Sequence, residues 1–162
     1  MKVGVLSDTH GCYLSAIETF FADCDQLWHA GDIGSQDVYN RLSAFKPLKA
    51  VYGNIDDALI RKLTEKELFF EAGGLNILMT HIGGYPPKYN ANSLPLIDRY
   101  KPDIFVCGHS HILKVVYDQQ RKMLAINPGA AGNYGFHKAI TMLKFDIVDK
   151  TPKNMDVFHQ ER

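Results

Sequence analysis

The chain has 162 residues, 46% of them hydrophobic and 22% charged, and its 18 Lys and Arg balance 18 Asp and Glu. That length fits one domain, 1–162, with a sizeable core, and the balanced charge gives no indication of nucleic acid or an anionic membrane surface as a partner. No apolar run reaches the roughly 18 residues of a membrane span, and the apolar start ends at Asp8, too short for a signal peptide.

Val3 to Ser7 is apolar with β-branched residues and reads as a buried strand that exits at Asp8-Thr9-His10-Gly11. Leu14, Ile17 and Phe21 recur at helical spacing and predict a helix over 13–23. Gln26 to His29 is a second strand, leading into Gly31-Asp32. Ser35 is placed to cap a helix whose buried face is Val38, Leu42 and Phe45 and which Pro47 stops. Leu48 to Tyr52 is a third strand, with the exit Gly53-Asn54-Ile55-Asp56-Asp57 and a helical turn over 58–63. This alternation implies a parallel sheet, which binds ligands beyond the carboxyl ends of its strands.

The second half changes character. Glu67 to Glu71 and Leu75 to Thr80 flank Gly73-Gly74 as a hairpin, and the outgoing strand ends at His81. Tyr85-Pro86-Pro87 opens a loop, and a helix follows over 94–100. Ile104 to Cys107 is a strand that exits at Gly108-His109-Ser110-His111. Val115 to Tyr117 pairs with Met123 to Ile126, and Ala139 to Ile147 pairs with Met155 to Phe158. The expected result is two packed sheets with helices outside, the second sheet largely antiparallel. Cys12, Cys24 and Cys107 form no Cys-x-x-Cys pair, which fits reduced thiols in a cytoplasmic protein.

Asp8, His10, Asp32, Asn54, His81, His109 and His111 all fall at strand exits. Within Asp8-x-His10 and His109-x-His111, an extended chain would turn both side chains to one side. Two carboxylates, four imidazoles and an amide are too many for one metal and enough for two. The mixed oxygen and nitrogen set suits manganese, iron or zinc better than calcium. His29 and Asp56 are candidates to orient these ligands. His137 and Lys138 are candidates to meet a substrate phosphate, and Tyr85 and Tyr89 to stack on a base or aryl group. For each of these a plain structural role is the alternative.

In this order, Asp8-x-His10, Gly31-Asp32, Gly53-Asn54, His81 and Gly108-His109-x-His111 resemble the motifs of the calcineurin-like metallophosphoesterases. Asn127-Pro128-Gly129-Ala130 resembles a turn common in the small prokaryotic phosphodiesterases of that superfamily. The resemblance implies an α/β fold, a four-layer α/β/β/α sandwich of two mixed sheets flanked by helices. It implies two divalent metal ions, with manganese favoured and iron, zinc, nickel or cobalt as alternatives. Asp8, His10, Asp32 and His111 would hold one ion. Asp32, Asn54, His81 and His109 would hold the other, with Asp32 bridging. The activity implied is hydrolysis of a small phosphodiester by a metal-bridging hydroxide, with Asp32, Asn54 and His109 as the catalytic residues. The alternatives are a phosphomonoesterase acting on nucleotides or phosphoproteins and a non-catalytic interaction module on the same fold. One position departs from the pattern. Related protein phosphatases carry a histidine after the Gly-Asn asparagine, where this chain has Ile55. Hairpin edges such as Leu68-Phe69-Phe70 leave homo-oligomerisation open.

Overall fold

The computed structural model describes residues 1–162. In the first half, β1 (Lys2–Leu6), α1 (Ala16–Phe20), β2 (Gln26–Ala30), α2 (Gln36–Phe45), β3 (Leu48–Val51) and α3 (Ala58–Leu63) alternate as the sequence pattern requires. The hairpin β4 (Glu67–Ala72) and β5 (Leu75–Thr80) follows, then a ribbon of β6 (Gly84–Tyr85) and β7 (Lys88–Tyr89). The chain continues through α4 (Leu94–Tyr100), β8 (Ile104–Val106), β9 (Leu113–Asp118), β10 (Met123–Pro128), β11 (Ala139–Val148) and β12 (Thr151–Glu161). No helix is long and apolar enough to cross a membrane.

Two five-stranded sheets result, ordered β12-β11-β1-β2-β3 and β4-β5-β8-β10-β9. In the first, β1, β2 and β3 are parallel and the final hairpin adds antiparallel to β1. In the second, β5, β8 and β10 are parallel, with β4 and β9 antiparallel at the edges. The second sheet is therefore mixed, as the family resemblance implies, where the hairpin pattern alone predicts a largely antiparallel one. Its three central strands are too far apart in sequence to pair as hairpins, so each reaches its neighbour by a crossover.

Val3, Val5, Trp28, Phe145, Ile77, Met79 and Val106 form one buried cluster contributed by both sheets, so the sheets pack face to face. Ile17, Phe21, Val38, Leu42 and Ile60 pack on the outer face of the first sheet, beneath α1 to α3. Ile97 of α4 packs with Leu78, Phe105 and Met123 on the outer face of the second. Together these clusters define an α/β/β/α sandwich.

Helix α2 begins where Ser35 Oγ accepts from Val38 N at 3.3 Å, and Asp57 Oδ1 caps α3 by accepting from Leu59 N and Ile60 N. Helix α1 is much shorter than the expected 13–23. Ser15 makes no side-chain cap, and a single turn has too few bonds to propagate without one. Pro152 lies in β12, which is an edge strand and so tolerates its missing donor.

Candidate metal centre

The carboxyl ends of β1, β2, β3, β5 and β8 meet at one rim of the sandwich. They bring together all seven predicted side chains, in two groups. Asp8, His10 and His111 form one and Asp32, His81 and His109 the other, with the ligand-type atoms of each group within 4.8 Å of one another. Asn54 joins the second group, its Oδ1 lying 3.1 Å from His81 Nε2.

The backbone delivers these side chains by a route the sequence pattern did not show. Asp8, His10, Asp32, His109 and His111 all have positive φ, between 47° and 68°. This left-handed region is costly for most side chains, although Asp and His enter it more readily than others. The residues are therefore not in extended chain. His109 and His111 do not share one side; the tight turn sends them to different groups. Close packing of the loops also depends on two glycines. A Cβ on Gly53 would collide with Asp32 Oδ1, and one on Gly108 would collide with Ser7 Oγ and approach Asp8 Oδ2 at 2.8 Å.

Asp8 is fully buried, and its Oδ1 has no hydrogen-bond partner. Around that oxygen stand His111 Nε2 at 3.2 Å and His10 Nε2 at 3.8 Å. The His111 tautomer follows from its neighbour. His137 Nε2–H donates to Gly132 O at 3.0 Å, so its Nδ1 accepts from His111 Nδ1–H at 3.1 Å. Burial and the adjacent His111 hold His137 below the ordinary imidazole pKa, which keeps it neutral for that role. His111 Nε2 therefore presents a lone pair to the orphaned carboxylate oxygen. Burial likewise lowers the pKa of His10. His10 Nε2–H donates to the His111 Nε2 lone pair at 3.2 Å, which leaves Asp8 Oδ1 as the one oxygen without a donor. A buried carboxylate oxygen with no partner, set beside two imidazoles, fits a cation.

In the second group, His81 Nδ1–H donates to Ala30 O at 2.8 Å, which aims Nε2 at Asp32 Oδ1, 3.3 Å away. Burial opposes charge on His81, but the hydrogen bond to Asp32 and the charges of Asp8 and Asp32 outweigh it and raise the pKa. Asp32 moves the opposite way: burial opposes its charge, yet His81 and the Ile55 N–H hold its carboxyl below the usual range. Asp32 lies between the groups, with Oδ2 3.7 Å from His10 Nε2 and Oδ1 facing His81. Each oxygen addresses one group, as a bridging carboxylate requires.

His29 touches no ligand-type atom. It is buried and neutral, with burial depressing its pKa. Nδ1 accepts from Gly31 N, and Nε2 donates to Thr9 Oγ1 at 2.9 Å, so it ties the β1 exit to the β2 exit. Asp56 acts through the backbone as well, accepting from Ile33 N, Gly34 N and Gly53 N and so clamping the Asp32 loop to the Asn54 loop. Replacing Asp56 with alanine leaves three N–H groups without their anion. It is expected to cost about 3–5 kcal/mol in urea unfolding, with asparagine in between and metal affinity falling in the same order. Asp56→Ala at wild-type stability would contradict this role.

Asn127 is a positioning residue that the sequence pattern flagged only as part of a turn. Its Nδ2 donates to Gly108 O at 2.7 Å and Ser110 Oγ at 3.1 Å, and its Oδ1 accepts from Gly129 N, holding the His109–His111 loop from below. Tyr89 donates to Asp118 and packs on Phe105, so it covers core; Tyr85 lies beneath Lys114. The ring of Tyr134 lies 5.4 Å from that of His10, at the mouth of the first group.

Residues 1–150 match the calcineurin-like phosphoesterase superfamily domain. The chain is 27% identical over 135 residues to a probable metallophosphoesterase of Methanothermobacter thermautotrophicus, covering 80% of this chain and 77% of that protein. Among solved structures it is similar to a novel archaeal phosphodiesterase, with a TM-score of 0.72, 21% identity and coverage of 98% and 100%. It is also similar to wild-type Vps29 of Entamoeba histolytica complexed with zinc, with a TM-score of 0.72, 17% identity and 99% of both chains covered. At these identities the two structures establish a shared fold.

Proposed function

The chain belongs to the calcineurin-like phosphoesterase superfamily, and on that premise we propose that it is a phosphodiesterase working with two divalent metal ions. The observation that carries this reading is Asp32, whose two oxygens face two separate groups of ligand-type atoms. Asp8, His10, His111 and Asp32 would hold one ion; Asp32, Asn54, His81 and His109 would hold the other. When bound, the pair supplies an acidified water as nucleophile and positive charge for the phosphoryl oxygens.

The chain's own residues do the rest. His137 fixes the tautomer of His111 so that its Nε2 lone pair faces inward. Ala30 O holds His81 Nδ1–H, so that Nε2, which donates to Asp32 and Asn54 here, would be the atom to give up its proton and turn a lone pair to a metal. The Ile55 N–H holds Asp32 Oδ1 at 3.1 Å. Charge favours a diester. Two divalent cations against Asp8 and Asp32 leave the centre at about +2 before the nucleophile and near +1 with it, which a singly charged phosphodiester balances. Manganese is the expected ion, since it accepts this mixture of carboxylate, amide and imidazole donors.

The test is a substrate comparison with manganese-loaded protein. Bis(p-nitrophenyl) phosphate should be hydrolysed fastest, p-nitrophenyl phosphate more slowly and a phosphoserine peptide hardly at all. Preference for the monoester over the diester would reverse the assignment.

A further inference from the structure

A cleft of about 440 Å³ opens directly from the second group of the centre, sharing Asn54 and His81 as part of its wall. Its remaining lining mixes apolar side chains, Ile82 and Leu96 among them, with polar ones, and carries two cations, Arg61 and Lys66, against one carboxylate, Glu67. Arg61 directs Nε to Asp56 O at 2.7 Å and Nη2 to Asn54 O at 3.4 Å, and its guanidinium leans on the Tyr52 ring. It is thus anchored beside the candidate ligand Asn54, with Nη1 free. Lys66 is exposed and forms neither a hydrogen bond nor an ion pair. Across the cleft, Asn90 and Asn92 add amide donors, since Asn90 Oδ1 is taken by Asn92 N.

The charge balance leaves this cleft without a partner. A diester monoanion neutralises the loaded centre and leaves nothing for Arg61 and Lys66. We propose that the cleft binds a second phosphate carried by the substrate, on the side of the scissile ester that faces Asn54 and His81. Arg61 and Lys66 are the specificity-determining residues. The natural substrate class is then a phosphoester with a further phosphate within reach of the cleft. This inference rests on the phosphoesterase reading of the centre, and it deepens that reading.

The test is binding of a ladder of alkanediol bisphosphates, two to six carbons long, against the alkanol monophosphates of equal length. Affinity is measured by calorimetry on manganese-loaded protein. Screened surface cations are worth up to about fivefold each, so at least one spacing should bind about tenfold tighter than its monophosphate. The advantage should shrink in 0.5 M salt. Lys66→Gln, at a side chain that makes no hydrogen bond or ion pair in the fold, should reduce it about threefold, and Arg61→Gln/Lys66→Gln should bring the ratio near one. Equal affinities at every spacing, or an advantage that persists in the double variant, would overturn the proposal. Turnover of bis(p-nitrophenyl) phosphate, assayed in parallel, separates the two readings. A binding advantage without turnover keeps the phosphate-binding subsite and removes the phosphodiesterase. Turnover without a binding advantage does the reverse.

Discussion

Asp32→Asn is expected to abolish most phosphodiesterase activity while leaving the fold intact. The side chain keeps its volume, so the sandwich core is undisturbed. The substitution removes the full charge from the one group placed between the two clusters, with an oxygen toward each. A neutral amide offers one carbonyl oxygen and cannot serve two cations. Loss of a supporting contact to a metal ligand typically costs about 10–100-fold, and loss of a bridging ligand should exceed that, on the order of 10³-fold in kcat. Metal content per chain should fall with it, read by elemental analysis after dialysis. Retained turnover at full metal occupancy would remove Asp32 from the bridging position.

The second large effect concerns the leaving group. Ile55 follows Asn54, and its backbone N–H is committed to Asp32 Oδ1, while its side chain is 47% exposed and can carry no proton. His137 does not substitute for the missing imidazole, because both of its nitrogens are engaged, one by His111 and one by Gly132. A positioned general acid is typically worth about 10²–10⁴-fold. Rates across a series of aryl phosphodiesters should therefore fall steeply as the leaving-group pKa rises, where chemistry limits turnover. Ile55→His should flatten that slope and raise the rate on the poorest leaving groups most. A wild-type slope near zero would mean that another residue already donates the proton.

Much of this site was legible before the structure. Aspartate, asparagine and histidine placed just past short apolar runs mark the carboxyl ends of strands, and a parallel arrangement sends those ends to one rim. Thus Asp8, Asp32, Asn54, His81 and His109 could be grouped although they are scattered over the chain. What the pattern could not show was conformation. Positive φ at five of the seven candidates turns each exit sharply, so His109 and His111, two residues apart, serve different groups. Strand periodicity carries no signal for that, because it assumes extended backbone. Asn127 was hidden for another reason: its importance lies in one amide bonding the carbonyl of Gly108, a contact across strands with no local sequence signature. The sequence pattern alone points to an antiparallel second sheet because hairpins leave a local signal and crossovers between β5, β8 and β10 do not.

Manganese titration of exhaustively chelated protein, followed by hydrolysis of bis(p-nitrophenyl) phosphate, tests the central claim most directly. Activity should be absent at the start and should rise to a plateau at two equivalents of metal per chain. Full activity in the chelated protein, or a plateau at one equivalent, would contradict a two-metal phosphodiesterase.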